Sequence, residues 1–414
     1  MQDMIDRQQA FINRQFFNLM LFALIFGVIF YDLIDTLGFS YTDELCVVFL
    51  LLLFGYRVFT STEWLFNKAF LFAIFVFIFY LVYSMAIASN TKGAIMKDFV
   101  IQVKPYLSFF CVYALRPELS DNQKRMIRQL IVICSLYVFV VGLTSTVYED
   151  IIEYTFVHRS RIATASTALA TLYLYCSNYT KTDKYAFMLI LAIGLFSTRS
   201  KHFGFFVIAT MLVFYLNRSL KVRFNLRNTI FIISTLALTV LVAWKKINFY
   251  FVLGGFGTGR SVDEFYARMA LYYFALLILN DFFPFGSGFA SYATHASGES
   301  YSSIYAKYHM DNMFGLTKAR YDFVADTYYP ALAQFGYAGV ILFFYFWFYL
   351  FRKAVKLFSK GYVKEAVLAI LIIIFFIIEC TSDATLTHNR GMFMMMLLGL
   401  VLTEAKKKDE NESI

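Results

Sequence analysis

The sequence predicts an all-α polytopic membrane protein with about 12 transmembrane helices and one large periplasmic loop that contains short helices. Of the 414 residues, 60% are hydrophobic and only 16% are charged, whereas ordinary globular domains are about 45–50% apolar and about 25% charged. Apolar runs recur at about the length of 20 residues that crosses a bilayer, and 4 prolines and 20 glycines leave them mostly uninterrupted. These observations exclude a soluble cytosolic enzyme, a disordered protein and a secreted disulfide scaffold.

Apolar runs separated by polar connections predict the individual membrane spans. The predicted spans are 16–34, 45–59, 69–89, 99–115, 128–147, 162–178, 184–198, 203–217, 229–246, 327–351, 363–380 and 388–404. The first run lacks a small-residue cleavage site and is followed by further spans, so it is not a cleavable signal peptide. The chain therefore divides into helices 1–9 at 1–246, a large loop at 247–325, helices 10–12 at 326–404 and a tail at 405–414.

The distribution of lysine and arginine predicts the orientation of the spans. With the N-terminus in the cytoplasm, most of the 37 basic residues fall in cytoplasmic connections and in the tail, as the positive-inside rule requires. Both termini are therefore predicted to be cytoplasmic, and the loop at 247–325 periplasmic. The net charge of +9 comes from the same connections and indicates no nucleic-acid partner. The five cysteines show neither metal-binding nor disulfide spacing.

The spans 184–198 and 203–217 are unusually short for a membrane crossing. About 15 helical residues cover ~22 Å, whereas the hydrocarbon core is about 30 Å thick. The turn between them, with Arg199, Lys201 and His202, is therefore predicted to lie below the outer surface. Charges at that depth are costly unless they face a wet cavity or a counter-ion. The turn thus indicates a recessed anion site, and the alternative is that its basic side chains extend to the interface.

The large loop is predicted to handle the substrate, because connections longer than about 12–15 residues are usually functional. Ser261 and Glu264 have the spacing of a capping box, which predicts a helix from Ser261 to about Asn280. Arg260, after a glycine-rich run, then lies at the positive end of that helix, in an anion site. Arg268 is a second candidate for substrate contact, or it pairs with Glu264 one turn away.

Further candidates lie at the outer ends of other spans. Arg159 and Arg161 have the spacing to reach one phosphate together, or they border the lipid headgroups. Asp326 begins a span, where it serves either as a helix N-cap or as a catalytic carboxylate, and the helix start is expected to keep its pKa low. The histidines show no metal-binding spacing, so neither a metal nor a cofactor is predicted. A second, weaker set of candidates consists of Glu379, Asp383 and His388.

Three stretches of the chain resemble the bacterial O-antigen polymerases and ligases. Leu195 to Phe214 is similar to the family's Ser-Arg-containing turn and the helix that follows it. Arg260 to Phe289 is similar to a stretch of the large periplasmic loop, and the shared residues are Arg260, Pro284, Gly286, Gly288 and Phe289. Asp326 to Gly339 resembles the motif that closes the loop and ends in Gly-x-x-Gly. Ligases typically carry His-Asn where this chain has Asp326-Thr327, which favours a polymerase.

The resemblance implies a metal-independent glycosyltransferase of the bacterial cytoplasmic (inner) membrane whose active site faces the periplasm. The donor would be a glycan on undecaprenyl diphosphate, and the acceptor a sugar hydroxyl of another lipid-linked repeat unit. Membrane lipid, a chain-length regulator and a flippase would be its partners. Planar arginine forks suit the diphosphate leaving group. The predicted catalytic residues are Asp326, Arg199 and Arg260, and the predicted substrate-binding residues are Arg159, Arg161, Lys201, His202 and Arg268.

Two other functions stay open from the sequence. One is an O-antigen ligase, which transfers the glycan to lipid A-core or to another acceptor. The other is a transporter or flippase for lipid-linked sugars. Such transporters often carry internal repeats and short loops, whereas this chain shows no visible repeat and has one long connection.

Overall fold

The computed structural model describes residues 2–36, 40–61, 67–148, 150–216, 244, 248 and 267–412. These residues form helices and connecting turns, with no strand among them, which confirms the predicted all-α class for the described part of the chain. In chain order the α-helices are α1 Gln2–Phe22, α2 Tyr31–Thr36, α3 Thr42–Thr60, α4 Lys68–Ala86, α5 Lys92–Leu115, α6 Asp121–Thr144, α7 Ile151–Phe156, α8 Arg159–Cys176, α9 Lys181–Ile193, α10 Ser200–Tyr215, α11 Ala267–Asp281, α12 His295–Glu299, α13 Ser303–Lys307, α14 Tyr328–Ala331, α15 Gly336–Ser359, α16 Val363–Glu379 and α17 Asn389–Glu412. A π-helical turn at Ala23–Ile29 continues α1, and 3₁₀ turns occupy Gly194–Ser197, Met310–Asn312, Leu332–Phe335 and Thr385–Thr387.

The predicted spans coincide with described helices, except for 229–246, which lies outside the described residues. Within the described part, four helical segments are long and apolar enough to cross a membrane. They are Arg7–Ile29, Lys68–Ala86, Asp121–Thr144 and Tyr328–Ser359. These segments are compatible with a membrane protein, whereas the total of twelve spans and the side on which the large loop lies stay predictions.

The centre of the bundle consists of α5, α8, α16 and α17. Helix α17 packs most extensively against α5, and α16 is buried along almost its whole length. The run from Ile162 to Leu172 in α8 is buried throughout and is rich in alanine, serine and threonine. Small residues of this kind let neighbouring helices approach closely, so the composition of α8 explains its central position.

The outer helices expose large apolar side chains instead of covering them. Leu52 in α3 and Phe75 in α4 are each 66% exposed, as is Ile341 in α15, and Leu136 in α6 is 62% exposed. So many large apolar side chains exposed on outer helices are unusual for a protein in water. Their exposure is compatible with helices that face lipid.

The pair of helices before the undescribed part of the chain is short, as the sequence predicted. Helix α9 has 13 residues and is extended by the four-residue 3₁₀ turn, and α10 has 16 residues. Thr180 and Asp183 form a capping box that fixes the start of α9. The chain reverses at Thr198, whose φ of 53° is left-handed, and α10 begins at Ser200. This reversal places Arg199 and Lys201 at one end of the bundle.

The middle of the large loop is fixed against α4, α5 and the start of α15. The Phe289 N–H donates to Ser84 Oγ (2.8 Å), and the Ala290 N–H donates to the buried carboxylate of Asp98 (2.7 Å). A Cβ on Gly286 would collide with the backbone of Gly336, and a Cβ on Gly336 would collide with the backbone before Gly286. Both glycines also have positive φ, at 80° and 60°. The stretch around Gly286 and the stretch around Gly336 are therefore packed backbone against backbone.

Candidate functional site

A cluster of charged side chains lies where α16 ends, around the start of α10. Lys201 Nζ lies 2.6 Å from Glu379 Oε2 and 3.5 Å from Asp383 Oδ2. Glu379 is at the C-terminal end of α16, and Asp383 lies in the connection to α17. We call Lys201, Glu379 and Asp383 the lysine triad. Two residues of the second candidate set, Glu379 and Asp383, are thus joined to Lys201 of the turn between α9 and α10.

The carboxylate of Asp383 is held in its charged form by this cluster. Burial alone would raise its pKa, but the Lys201 ammonium and His388 outweigh burial and lower the pKa of Asp383 to about 2. Lys201, whose side chain is only 12% exposed, is in turn surrounded by negative charge. The positive charge of Lys201 is therefore compensated within the protein.

Asp326 joins the same region from the other side, through an ion pair with Arg268 in the first turn of α11. Burial raises the pKa of the Asp326 carboxyl, Arg268 lowers it in part, and Asp383 raises it further, so the net shift is upward. The predicted N-cap role with a low pKa is therefore wrong. The N-cap residue of α14 is Thr327, whose side chain makes no capping hydrogen bond, and α14 has only four residues, too few for a strong terminal field.

Arg199 has a different kind of partner. Its Nη2 lies 2.8 Å from Nε2 of His158, and Nδ1 of His158 lies 2.7 Å from Ser160 Oγ. Because an arginine side chain has no acceptor, Nε2 of His158 must accept in this contact. Burial and the neighbouring Arg199 lower the pKa of His158 to about 4, so the ring is neutral at pH 7. Among the described residues no carboxylate pairs with Arg199, so His158 orients its charge without cancelling it.

A cavity of about 480 Å³ adjoins the turn that carries Arg199. It is lined by Arg159 at the start of α8, by Thr198 beside Arg199, and by residues from the ends of α6 and α9 such as Ser145 and Ala192. Thr198, which lines the cavity, directly precedes Arg199 in the turn. The arrangement provides space and positive charge for an anionic group.

Two predicted substrate contacts have structural partners instead. His202 is 1% exposed, and its Nε2 lies 3.1 Å from the Leu191 carbonyl oxygen, so it fixes the turn from within and is not accessible to a substrate. Arg161 pairs with the fully buried Asp32, which also accepts a hydrogen bond from Arg390 Nη2 (2.7 Å). Arg161 therefore ties α8 to α2, and Arg390 ties α2 to the start of α17.

The remaining predictions fall partly outside the described residues. Arg260, Ser261 and Glu264 lie in the undescribed stretch, so the predicted phosphate contact of Arg260 and the capping box stay predictions. The described part of the large loop contains α11, α12 and α13, which confirms the short helices. Within the described residues, no group of three or more His, Cys, Asp or Glu side chains is arranged to hold a metal ion.

Sequence reasoning missed the partners of several charges. Lys104 is buried in α5 and pairs with Asp43 and with Glu44 (2.6 Å) at the start of α3. It also lies close enough to His388 to interact electrostatically. The sequence did contain a sign of this pairing, because an ionisable residue inside an apolar run indicates a functional site or a buried ion pair. Spacing along the chain does not reveal which acid pairs with it.

Comparison with known proteins does not assign a family to this chain. No protein-family profile matches the sequence, and no curated protein matches it significantly. The case for a function therefore depends on the site itself and on the resemblance of its three stretches.

Proposed function

We propose that this protein is a metal-independent glycosyltransferase that polymerises lipid-linked oligosaccharide repeat units. One observation carries the proposal. The three stretches that resemble the O-antigen polymerases each contribute one residue to a single charged cluster: Lys201, Arg268 and Asp326. Arg268 forms an ion pair with Asp326, and Lys201 and Asp383 lie close enough to Asp326 to act on its charge. Charged residues that are distant in sequence are seldom gathered at the end of an apolar bundle without a function.

The donor side of the reaction requires fixed positive charge. In the proposed reaction the bond between the anomeric carbon and the phosphate oxygen breaks, and undecaprenyl diphosphate leaves with the electron pair. Arg199 is suited to this group, because no carboxylate among the described residues pairs with it and the turn that carries it adjoins the cavity lined by Arg159. Arg260 is proposed as the second arginine of the clamp. Such preorganised donors often contribute the largest single term in catalysis.

The acceptor side requires a group that takes a proton. The acceptor hydroxyl oxygen forms the new bond to the anomeric carbon, and its proton passes to the Asp326 carboxylate. The upward shift of the Asp326 pKa makes this carboxylate a better base than an ordinary aspartate. Arg268 holds the carboxylate in place. The proton, the leaving group and the new bond are then all accounted for without a metal.

The proposed topology has twelve spans, both termini in the cytoplasm and residues 247–325 in the periplasm of a bacterial inner membrane. The basic residues of the connections support it. Reporter fusions at Ser219 should report the cytoplasm, and fusions at Ser297 the periplasm. A reversed result at either position would contradict the topology and the outward-facing site. A chain-length regulator and a flippase are the proposed protein partners.

The function is tested with the purified full-length protein in proteoliposomes that contain lipid-linked repeat units. We expect growth of chains as a ladder of increasing length, with release of undecaprenyl diphosphate. The Arg199→Ala protein serves as the matched inactive control. Transfer to lipid A-core without chain growth would instead identify a ligase, and movement of the lipid across the bilayer without new bonds would identify a flippase. Either result would overturn the polymerase proposal.

A further inference from the structure

An apolar groove runs along the outside of the bundle between α4 and α15, and its lining also includes Tyr328, two residues after Asp326. Its volume is about 590 Å³, and most of its lining is aromatic or aliphatic. At one end, Tyr80 Oη donates a hydrogen bond to the Phe335 carbonyl (2.7 Å) next to Gly339. At the other end, the lining includes Lys68 and Tyr349.

The groove has the length of one leaflet. Lys68 and Tyr80 are twelve residues apart on α4, which corresponds to ~18 Å along a helix. Half of a hydrocarbon core of about 30 Å is ~15 Å. Both flanking helices belong to segments that are long and apolar enough to cross a membrane. Most of α4 is not covered by other parts of the protein. The groove is therefore matched in length and polarity to a single acyl chain.

Two ammonium groups lie at the same end of this groove. Lys68 is exposed at the start of α4. On α15, Lys353 Nζ lies 4.7 Å from the ring centre of Tyr349, a lining residue, and 3.0 Å from Tyr113 Oη. Tyr113 holds the second ammonium in position. Paired lysines at the end of an apolar chain-binding groove complement a negatively charged headgroup.

We propose that this groove binds an anionic membrane phospholipid, with one acyl chain between α4 and α15 and its phosphate near Lys68 and Lys353. The two lysines lie at the opposite end of the groove from Tyr80 and Gly339, so they favour a lipid whose headgroup lies at that end. This site is independent of the proposed glycosyl transfer. Bound lipid would connect α4 to the side of α15. Helix α4 also contacts the large loop through Ser84.

The test uses the full-length protein in nanodiscs of equal parts phosphatidylglycerol and phosphatidylcholine, followed by native mass spectrometry of the retained lipids. We expect phosphatidylglycerol to be retained in preference to phosphatidylcholine. Lys68→Ala and Lys353→Ala should each weaken retention about fivefold, because a lysine near a charged headgroup contributes about 1 kcal/mol. Lys92→Ala, which removes a charge from the start of α5, is the matched control and should have no effect.

A second pair of variants tests the groove without changing charge. Ala73→Trp fills the groove and should displace the lipid, whereas Val82→Trp, on the exposed side of α4 and outside the groove, should leave it bound. Equal retention of both phospholipids, a lysine variant that behaves like Lys92→Ala, or retention of a polyprenyl lipid in place of phosphatidylglycerol would each overturn the proposal.

Discussion

Arg199 and Lys201 are two residues apart on one turn, yet their charges are treated in opposite ways. Lys201 is enclosed by Glu379 and Asp383, so its charge is cancelled within the protein. Arg199 is oriented by His158, a neutral ring, so its charge is retained. We infer that Lys201 stabilises the architecture of the site and that Arg199 acts on an anionic ligand. Stability and activity should therefore separate between these two neighbouring cations.

The largest expected effect on stability is at Lys201. Lys201→Ala leaves Glu379, which is 3% exposed, without its partner. Removal of one member of a buried ion pair costs about 3–5 kcal/mol, so the free energy of unfolding in detergent should fall by about that amount. Lys201→Met combined with Glu379→Gln should recover most of the loss. A single Lys201→Ala variant as stable as the wild type would contradict the structural role of the lysine triad.

Arg199 should show the reverse behaviour. Arg199→Ala should reduce chain elongation by about 10²–10³-fold, the range for loss of one preorganised charge-stabilising donor, while the unfolding free energy stays near the wild-type value. Arg199→Lys should restore little, because a point charge does not reproduce a two-pronged contact. Arg320→Ala, at an exposed arginine paired with Asp322, is the matched control. Near-normal ladders from Arg199→Ala would exclude the clamp.

Asp326 tests whether a paired carboxylate can still act on the acceptor. Asp326→Asn keeps an oxygen that can accept from Arg268 but cannot take a proton, so we expect normal folding and about a hundredfold loss of elongation. Asp326→Ala should lose stability as well, since it leaves Arg268 without its carboxylate. Asp322→Asn, an exposed aspartate, serves as the control in the same assay. An active Asp326→Asn variant would transfer the proposed role to Glu379, Asp383 or His388.

The pH dependence sharpens the same point. The pKa of Asp326 is raised by burial, and a base must be deprotonated to act. Activity should therefore be full above the raised pKa and should be lost as the pH falls through it, at a pH above the ordinary aspartate value of about 4. The Asp326→Asn variant should retain its residual activity without this acid limb. A limb that persists in the variant would belong to another group.

The smallest effect on stability is expected at an exposed ion pair between a lysine and a glutamate. Lys97 and Glu299 form an ion pair in which both side chains are 46% exposed. Exposed pairs contribute about 0–1 kcal/mol and are screened by salt, so Lys97→Ala should change the unfolding free energy by less than about 1 kcal/mol. The comparison with Lys201→Ala isolates the contribution of burial, and an equal loss at both positions would remove the distinction.

Part of this arrangement could be predicted from the sequence, and part could not. The positions of the apolar runs predicted the described helices, and the unusual length of α9 and α10 directed attention to Arg199 and Lys201. The ion pair between Arg268 and Asp326 could not be predicted, because the residues are 58 positions apart and their elements meet only in the fold. For the same reason the sequence left Asp326 with two alternatives, an N-cap or a catalytic carboxylate, because the motif indicates its place in the chain but not its partner.

The contact between Gly286 and Gly336 has a mechanical consequence. The backbone around each glycine occupies the space that a side chain on the other glycine would need, so this contact has no room for a side chain on either stretch. A change at one glycine cannot be repaired by a smaller residue at the other, because both are already at the lower limit of size. Second-site suppressors of a substitution at Gly286 or Gly336 should therefore arise in the surrounding helices. Any opening of the large loop must have its hinge at another place in the chain.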